Sequence, residues 1–195
     1  MRNSVDMLSD GVKERFCAFL AGDLDIGAFE QWVYATPQLE KEMEADDYLD
    51  LISARYSDRT DKYEIQRVTQ KYVDEGDHHT RVIKRDLRHI IDGTGNLPAI
   101  LVEFYYLCCD GYGFLNTLGL DYGLNILCPP REYSADEWED LSLDSQQKLL
   151  TSFFPDVVDE AKRILTWLND GSLVLLGKGD DYFCKYEDNR VEETE

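Results

Sequence analysis

Two pairs of adjacent side chains, one of histidines and one of cysteines, are the residues whose types could bind a metal ion. Neighbouring positions on a helix point about 100° apart, so neither His78-His79 nor Cys108-Cys109 has the spacing of a helical zinc motif. A disulfide between adjacent cysteines would be strained. We therefore expect His78 and His79 to be solvated loop histidines and both cysteines to pack in the interior, with no metal ion and no cofactor.

Carboxylate pairs are the residues that could perform acid–base catalysis. Adjacent acids occur at Asp46-Asp47, Glu139-Asp140 and Asp180-Asp181. With 40 Asp and Glu in 195 residues such pairs are expected by chance, and a general acid also needs a cleft that raises its pKa. The glycine-rich segments lack the strand, third glycine and helix of a phosphate-binding loop. We expect a protein that is not an enzyme, with a small intracellular enzyme holding a carboxylate-lined cleft as one alternative.

Four basic residues could form a phosphate-binding face on one helix, since Arg81, Lys84, Arg85 and Arg88 occupy positions i, i+3, i+4 and i+7. The alternative is that they pair with acidic residues of the same chain. Residues 61–92 carry equal numbers of acidic and basic side chains, and the segments on both sides are strongly acidic. Repulsion from those segments opposes any polyanion. The sequence therefore predicts internal ion pairs and no nucleic-acid partner.

Apolar residues recur at helical spacing through the first 92 residues, which predicts a bundle of helices. One helix ends at Gly22 and a second covers Ile26–Tyr34. Thr36 is expected to cap the next helix, with Pro37 in its first turn. The later apolar stripes are formed by Tyr48, Ile52 and Tyr56, by Ile65, Val68, Thr69, Tyr72 and Val73, and by Ile83, Leu87, Ile90 and Ile91.

The chain after Gly93 begins with a strongly apolar segment. Leu97–Cys109 is apolar nearly all round, which predicts a buried helix capped by Asn96. A short strand or extended piece is expected at Leu124–Leu127. Ser134 and Glu137 then have the spacing of a capping box ahead of Trp138.

The last part of the chain changes from helix to strand. An amphipathic helix is expected between Pro155 and Gly171, and two short apolar runs, Leu173–Leu176 and Tyr182–Tyr186, predict a β-hairpin that docks on the helices. The tail from Glu192 is expected to be frayed. The predicted fold class is mainly α, a helical bundle with a small C-terminal β-hairpin. Residues 1–92 are expected to form an N-terminal helical bundle, and residues 93–195 a helical region with the hairpin that packs with it as one globular unit.

Charge indicates what kind of partner this protein binds. The formal net charge is -20 and the sequence pI is near 4.4. A surface this acidic repels phosphates and anionic lipids and attracts basic proteins. No apolar run is long enough to span a membrane, and the odd number of cysteines favours reduced thiols and a cytoplasmic location. We therefore predict a basic protein partner and no membrane.

One segment resembles a known family. Residues 19–30 read FLAGDLDIGAFE. This pattern is similar to the opening of helical bacterial immunity domains of the colicin-immunity type, which often begin F-L-x-G-x-[IL] with F-E a few residues later. The resemblance covers about a tenth of the chain and implies a protein that binds and silences a cytotoxic nuclease. It assigns no binding residues.

The leading hypothesis is an acidic, non-enzymatic immunity or inhibitor protein that neutralises a basic, nuclease-like toxin, and an acidic docking subunit is a further alternative. We expect the partner to contact acids at two helix starts, since an aromatic anchor beside acids suits a basic cleft. The candidate partner-binding residues are Asp46, Asp47 and Asp50, and Asp136, Glu137, Trp138, Glu139 and Asp140.

Overall fold

A computed structural model describes residues 8–133, 135–179 and 182–190. The fold is mainly α-helical and ends in a small antiparallel β-hairpin, which confirms the predicted fold class. The chain divides into two compact units after Arg81, whereas the sequence placed this boundary after residue 92. Ser134 of the predicted capping box, the pair Asp180-Asp181 and the tail from Glu192 lie outside the described residues.

The first unit is built from short amphipathic helices. They are α1 (Asp10–Leu20), α2 (Ile26–Tyr34), α3 (Leu39–Glu42), α4 (Ala45–Ser53) and α5 (Arg59–Gln70), followed by the start of α6 (Glu75–Asp92). Their apolar faces meet in an aromatic core, where Phe16 packs edge-on against Phe29, Trp32 and Tyr72. The apolar stripe predicted from Ile65 to Val73 is buried at every position.

Side-chain caps set both ends of α2. Asp25 Oδ1 accepts hydrogen bonds from the backbone N–H groups of Gly27 (2.9 Å) and Ala28 (3.0 Å), which satisfies the first turn. The prediction that Thr36 caps the following helix is wrong. Its hydroxyl donates to the Trp32 carbonyl (2.7 Å), and α3 begins only at Leu39. Thr36 therefore closes α2, whose last carbonyls have no partner inside the helix.

The face that α4 buries differs from the predicted one. The helix ends at Ser53, so Tyr56 lies beyond it, and the buried positions on the helix are Asp47 and Leu51. Tyr48 and Ile52 are only half-buried. The three predicted residues do pack in or against the core, since Tyr56 is buried and Tyr48 and Ile52 contact the core cluster. The prediction was wrong in placing Tyr56 on the helix, and it omitted the buried Asp47.

Asp47 faces inward because two donors from a neighbouring segment hold it there. Lys71 Nζ lies 2.6 Å from Asp47 Oδ1, and the Tyr72 hydroxyl donates to Asp47 Oδ2 at 2.8 Å. The same hydroxyl accepts a hydrogen bond from the Glu44 backbone N–H at 3.0 Å. Burial and the neighbouring Asp47 carboxylate raise the pKa of Tyr72 to about 12, so the hydroxyl stays protonated at neutral pH.

Tyr72→Phe is expected to lower the free energy of unfolding by about 1–3 kcal/mol, because it leaves a buried carboxylate oxygen and a backbone N–H without their partner. Thermal and urea unfolding followed by circular dichroism measures this loss. Tyr63→Phe is the matched control, since Tyr63 is 67% exposed and should lose nothing. Equal stability of the two variants would contradict the role given to the Tyr72 hydroxyl.

The second unit combines helices of three kinds with the hairpin. Its elements are the rest of α6, α7 (Leu97–Cys109), a 3₁₀ helix (Gly113–Leu115), a π-helix (Thr117–Gly123), α8 (Leu124–Leu127), two further 3₁₀ helices (Arg131–Tyr133 and Trp138–Asp140), α9 (Leu143–Ser152), α10 (Asp156–Asp170), β1 (Leu173–Lys178) and β2 (Cys184–Asp188). The predicted bounds of α7 are confirmed, with Asn96 Oδ1 accepting from Ala99 N at 3.3 Å. One side of α7 is exposed at Glu103 and Tyr106, so the helix is not buried all round as predicted.

The π-helix packs against α7 through two glycines spaced four residues apart. A Cβ at Gly119 would lie 2.8 Å from the Phe104 carbonyl oxygen, and a Cβ at Gly123 would collide with the Leu101 carbonyl. The backbones approach closely because neither glycine has a side chain. The strand predicted at Leu124–Leu127 is wrong, since these residues continue the π-helix as α8.

The hairpin docks on the helices of its own unit, as predicted. Leu173, Leu175 and Cys184 are buried in the same core as α7 and α10. The Cys184 backbone N–H donates to the Asp110 carbonyl at 2.6 Å, just beyond the end of α7. Because a two-stranded hairpin is marginal by itself in water, these contacts with the helices hold it in place.

Candidate functional site

The structure places the histidine and cysteine pairs on two different helices, α6 and α7. Within residues 8–133, 135–179 and 182–190, no three His, Cys, Asp or Glu side chains are grouped so that they could hold a metal ion. His78 and His79 lie inside α6 and are half-buried, so the prediction of solvated loop histidines is wrong. Cys109 is exposed, which corrects the prediction that both cysteines pack in the interior, whereas Cys108 is half-buried.

Within the part of the chain that the structure describes, the basic strip on α6 pairs with acids of the same chain at Arg81 and Arg85. Arg81 contacts Glu14 at 2.5 Å and Asp23 at 2.6 Å. Arg85 Nε lies 2.9 Å from Asp86 Oδ1. Burial and the nearby Arg88 guanidinium lower the pKa of Lys84. The prediction of internal ion pairs is therefore confirmed for Arg81 and Arg85.

The acids nominated on α4 have different environments. Asp46 and Asp50 are exposed. Asp47 is buried, and its carboxylate already accepts hydrogen bonds from Lys71 and Tyr72. Asp47 is therefore a structural residue. Asp50 lines a small groove of about 210 Å³.

The two other carboxylates among the residues that line this groove, those of Asp61 and Glu64, already have cationic neighbours. Asp61 pairs with Arg55 at 3.2 Å, and Glu64 pairs with Arg67 at 2.7 Å. Because these arginines are provided by the chain itself, the groove beside α4 has a weaker attraction for a foreign cation than its carboxylates alone would give.

Two of the four nominated acids around Trp138, Glu137 and Glu139, line the larger groove, of about 480 Å³, which we call the Trp138 groove. It is lined by Asn96, Pro98, Ala99, Val102, Ile126, Leu127, Glu137, Trp138 and Glu139. The first turns of α7 form one wall, and α8 provides the apolar residues beside it. Trp138 and Glu139 belong to the 3₁₀ helix Trp138–Asp140, and Glu137 directly precedes that helix. Asp136 and Asp140 are exposed on either side of these groove residues in the chain.

The backbone that carries Trp138 is held from two directions. The Gln146 side chain on α9 donates to the Trp138 carbonyl at 3.0 Å, and the Leu141 backbone N–H donates to the same oxygen at 3.2 Å. Leu141 is itself buried in the core of the unit. The ring of Trp138 is half-buried and packs against this core. The indole of Trp138 is therefore held in place by its backbone and its packing, and the exposed part of its surface is available to a ligand in the groove.

The acidic and aromatic residues of the groove were predicted from the sequence as candidate binding residues, and its apolar residues were not. Val102 was assigned to a helix buried all round, and Ile126 and Leu127 were assigned to a strand. Both segments are visibly apolar in the sequence, but the sequence does not show that they line one groove with Trp138. That arrangement depends on the two glycines through which the π-helix packs closely against α7.

No protein-family model, curated protein sequence or solved structure matches this chain. In the part of the chain that the structure describes, no helix is long and apolar enough to cross a lipid bilayer. What the protein binds is therefore inferred from the chemistry of the Trp138 groove and from the charge of the chain.

Proposed function

We propose that this protein is a non-enzymatic acidic binding protein that neutralises a basic, nuclease-like toxin, as the immunity-type resemblance of residues 19–30 implies. The observation that carries the proposal is the Trp138 groove, in which a positioned indole and an apolar surface lie beside Glu137 and Glu139. Aromatic anchors in partly desolvated grooves are frequent binding hot spots. The carboxylates beside it match a partner of opposite charge.

The exposure of the groove carboxylates favours binding over catalysis. Glu137 and Glu139 are both exposed. A carboxyl group that acts as a general acid at neutral pH needs burial or a neighbouring negative charge to raise its pKa. Exposed carboxylates are accessible to a partner, which suits the attraction and orientation of a cationic surface.

The charge of the whole chain supports a nuclease as the class of partner. Enzymes that grip nucleic-acid phosphates present basic clefts, and a chain with a net charge of -20 offers such a cleft a competing negative surface. Long-range attraction of this kind raises association rates from about 10⁵–10⁶ to as much as about 10⁸–10⁹ M⁻¹s⁻¹ at low salt. Fast capture is what an inhibitor of a toxic enzyme requires.

The test is capture followed by inhibition. The purified chain is immobilised, the bound proteins of the native cell are eluted, and each is assayed for nuclease activity with and without added chain. We expect one basic protein whose nuclease activity falls to background at an equimolar amount of this chain. Recovery of no basic protein, or of one whose activity is unaffected, would contradict the proposal.

Direct binding of nucleic acid is the competing explanation for interference with a nuclease, and it is measured separately. Fluorescence anisotropy with duplex DNA and with RNA at physiological salt is expected to show no binding, because Arg81 and Arg85 are paired with acids of the same chain. Micromolar binding that is lost in Arg85→Ala/Arg88→Ala would make nucleic acid the ligand and overturn the proposed mechanism.

A further inference from the structure

We infer that the Trp138 groove recognises a short protein segment in which an apolar side chain is followed closely by arginine or lysine. This inference rests on the proposed function for the nature of the partner and adds what part of that partner is bound. It requires three properties of the groove: an apolar surface, a neighbouring negative charge and a poor fit to anions.

The apolar surface of the groove is formed by residues of two helices, α7 and α8. Val102 belongs to α7, and Ile126 and Leu127 belong to α8, which the π-helix holds against α7. A volume of about 480 Å³ lies within the range of about 300–1,000 Å³ that is typical of binding pockets. A groove of this size accommodates a few side chains of a partner protein and is too small to enclose a folded domain.

The negative charge lies beside the ring that would hold the apolar side chain. Glu137 and Glu139 flank Trp138 in the chain and line the same groove. A guanidinium placed there can form charge-assisted hydrogen bonds with a carboxylate and stack on an indole face. Asp136 and Asp140 add two exposed acids next to them in the chain. Arginine is therefore the preferred cation and lysine the second.

The start of α7 in the same wall does not make the groove an anion site. Helix N-termini attract anions through free backbone N–H groups. Here the Ala99 N–H already donates to Asn96 Oδ1 at 3.3 Å, and Pro98 has no N–H to offer. With Glu137 and Glu139 in the same groove, a phosphate from nucleic acid or from a lipid headgroup meets repulsion.

A second copy of this chain is a poor occupant of the groove. Each copy carries a net charge of -20, so two copies repel one another. A purely apolar small molecule would not use the carboxylates that line the groove. The occupant that uses both surfaces is an apolar segment with adjacent cations.

The test uses fluorescein-labelled peptides and the intact chain, with binding measured by fluorescence anisotropy. The parent peptide contains Leu-Phe-Arg-Arg between serines. One variant peptide replaces Leu-Phe with Ser-Ser, and another replaces Arg-Arg with Glu-Glu. We expect saturable binding of the parent and a loss of about 30-fold or more in affinity for each variant. Equal affinity of the parent and Ser-Ser peptides would overturn the inference, since it would mean attraction by charge alone.

Protein variants locate the binding on the groove. Trp138→Ala is expected to weaken the parent peptide about 30-fold, and Glu137→Gln/Glu139→Gln about 10-fold. The matched control is Asp144→Asn/Glu187→Gln, which removes two exposed charges elsewhere in the same unit and should change affinity less than about 2-fold. If Trp138→Ala does not fold, Trp138→Phe replaces it. Unchanged binding in the groove variants would overturn the inference.

The failure of this inference can be told from failure of the proposed function. If the groove variants still inhibit a captured nuclease fully and the parent peptide does not bind, the segment inference is wrong and the inhibitor proposal stands. If the peptide binds as described and no nuclease is captured or inhibited, the groove assignment stands and the inhibitor proposal is wrong.

Discussion

Replacing Gly123 with alanine is expected to destabilise the second unit by about 3 kcal/mol and to lower its melting temperature by about 10 °C. The added Cβ would collide with the Leu101 carbonyl, which belongs to the backbone of α7. That backbone cannot withdraw, because the side chains of Leu101 and Phe104 are fully buried. A clash with a fixed backbone costs more than one with a flexible side chain, and the π-helix would have to move off α7.

Gly11→Ala is the matched control for this substitution. Gly11 lies within α1, and among the described residues no atom outside its own chain neighbours and helix backbone lies within 4 Å of the place its Cβ would take. Alanine there should stabilise the protein by up to about 1 kcal/mol, because glycine is unfavourable inside a helix. Calorimetry on both variants measures the difference. A melting temperature for Gly123→Ala equal to that of the unchanged chain would show that the π-helix does not need its close contact with α7.

The same substitution links the fold to the groove. Ile126 and Leu127 belong to α8, which begins at the residue after Gly123, so a displaced π-helix carries them away from Trp138. We expect the parent peptide to bind Gly123→Ala more weakly even at temperatures where the variant remains folded. Gly11→Ala, which lies in the other unit, should bind it normally.

The long helices could be predicted from sequence because each has a strong apolar period. Ile26–Tyr34 and Leu97–Cys109 were assigned with the bounds that the structure shows. Leu124–Leu127 could not be assigned correctly, since a segment of four mostly apolar residues fits a strand and a helix equally well by pattern. What decides between them is the preceding π-helix, whose geometry depends on contact with α7 and leaves no repeating pattern of its own.

The site was predictable only where its residues are neighbours in the chain. Trp138 with Glu137 and Glu139 stands out as an aromatic residue among acids. Asp47 looked equally exposed, because the acids near it are typical of a helix start. Its inward position depends on Lys71 and Tyr72, which are distant in sequence. Long-range pairing of this kind cannot be inferred from local pattern.

Reversing two charges beside the Trp138 groove is expected to slow association with the captured basic partner by about 10- to 100-fold at low salt. The variant is Asp136→Lys/Glu139→Lys, in which Glu139 lines the groove and Asp136 is exposed near it in the chain. Because the long-range attraction is weakened, the association rate should also depend less steeply on salt. Stopped-flow or surface-binding kinetics across a series of salt concentrations measures both effects.

Asp46→Lys/Asp50→Lys is the variant that separates local attraction from total charge. It changes the net charge by the same amount as the groove variant, but it places the change on α4, where both acids are exposed. Lysine in the first turn of α4 costs about 0.3–1 kcal/mol of stability, which unfolding measurements can verify. If the Trp138 groove is the contact, this variant should slow association several-fold less than the groove variant. Equal slowing by both would mean that the partner responds to the net charge of the chain, and greater slowing by the α4 variant would move the contact to the first unit.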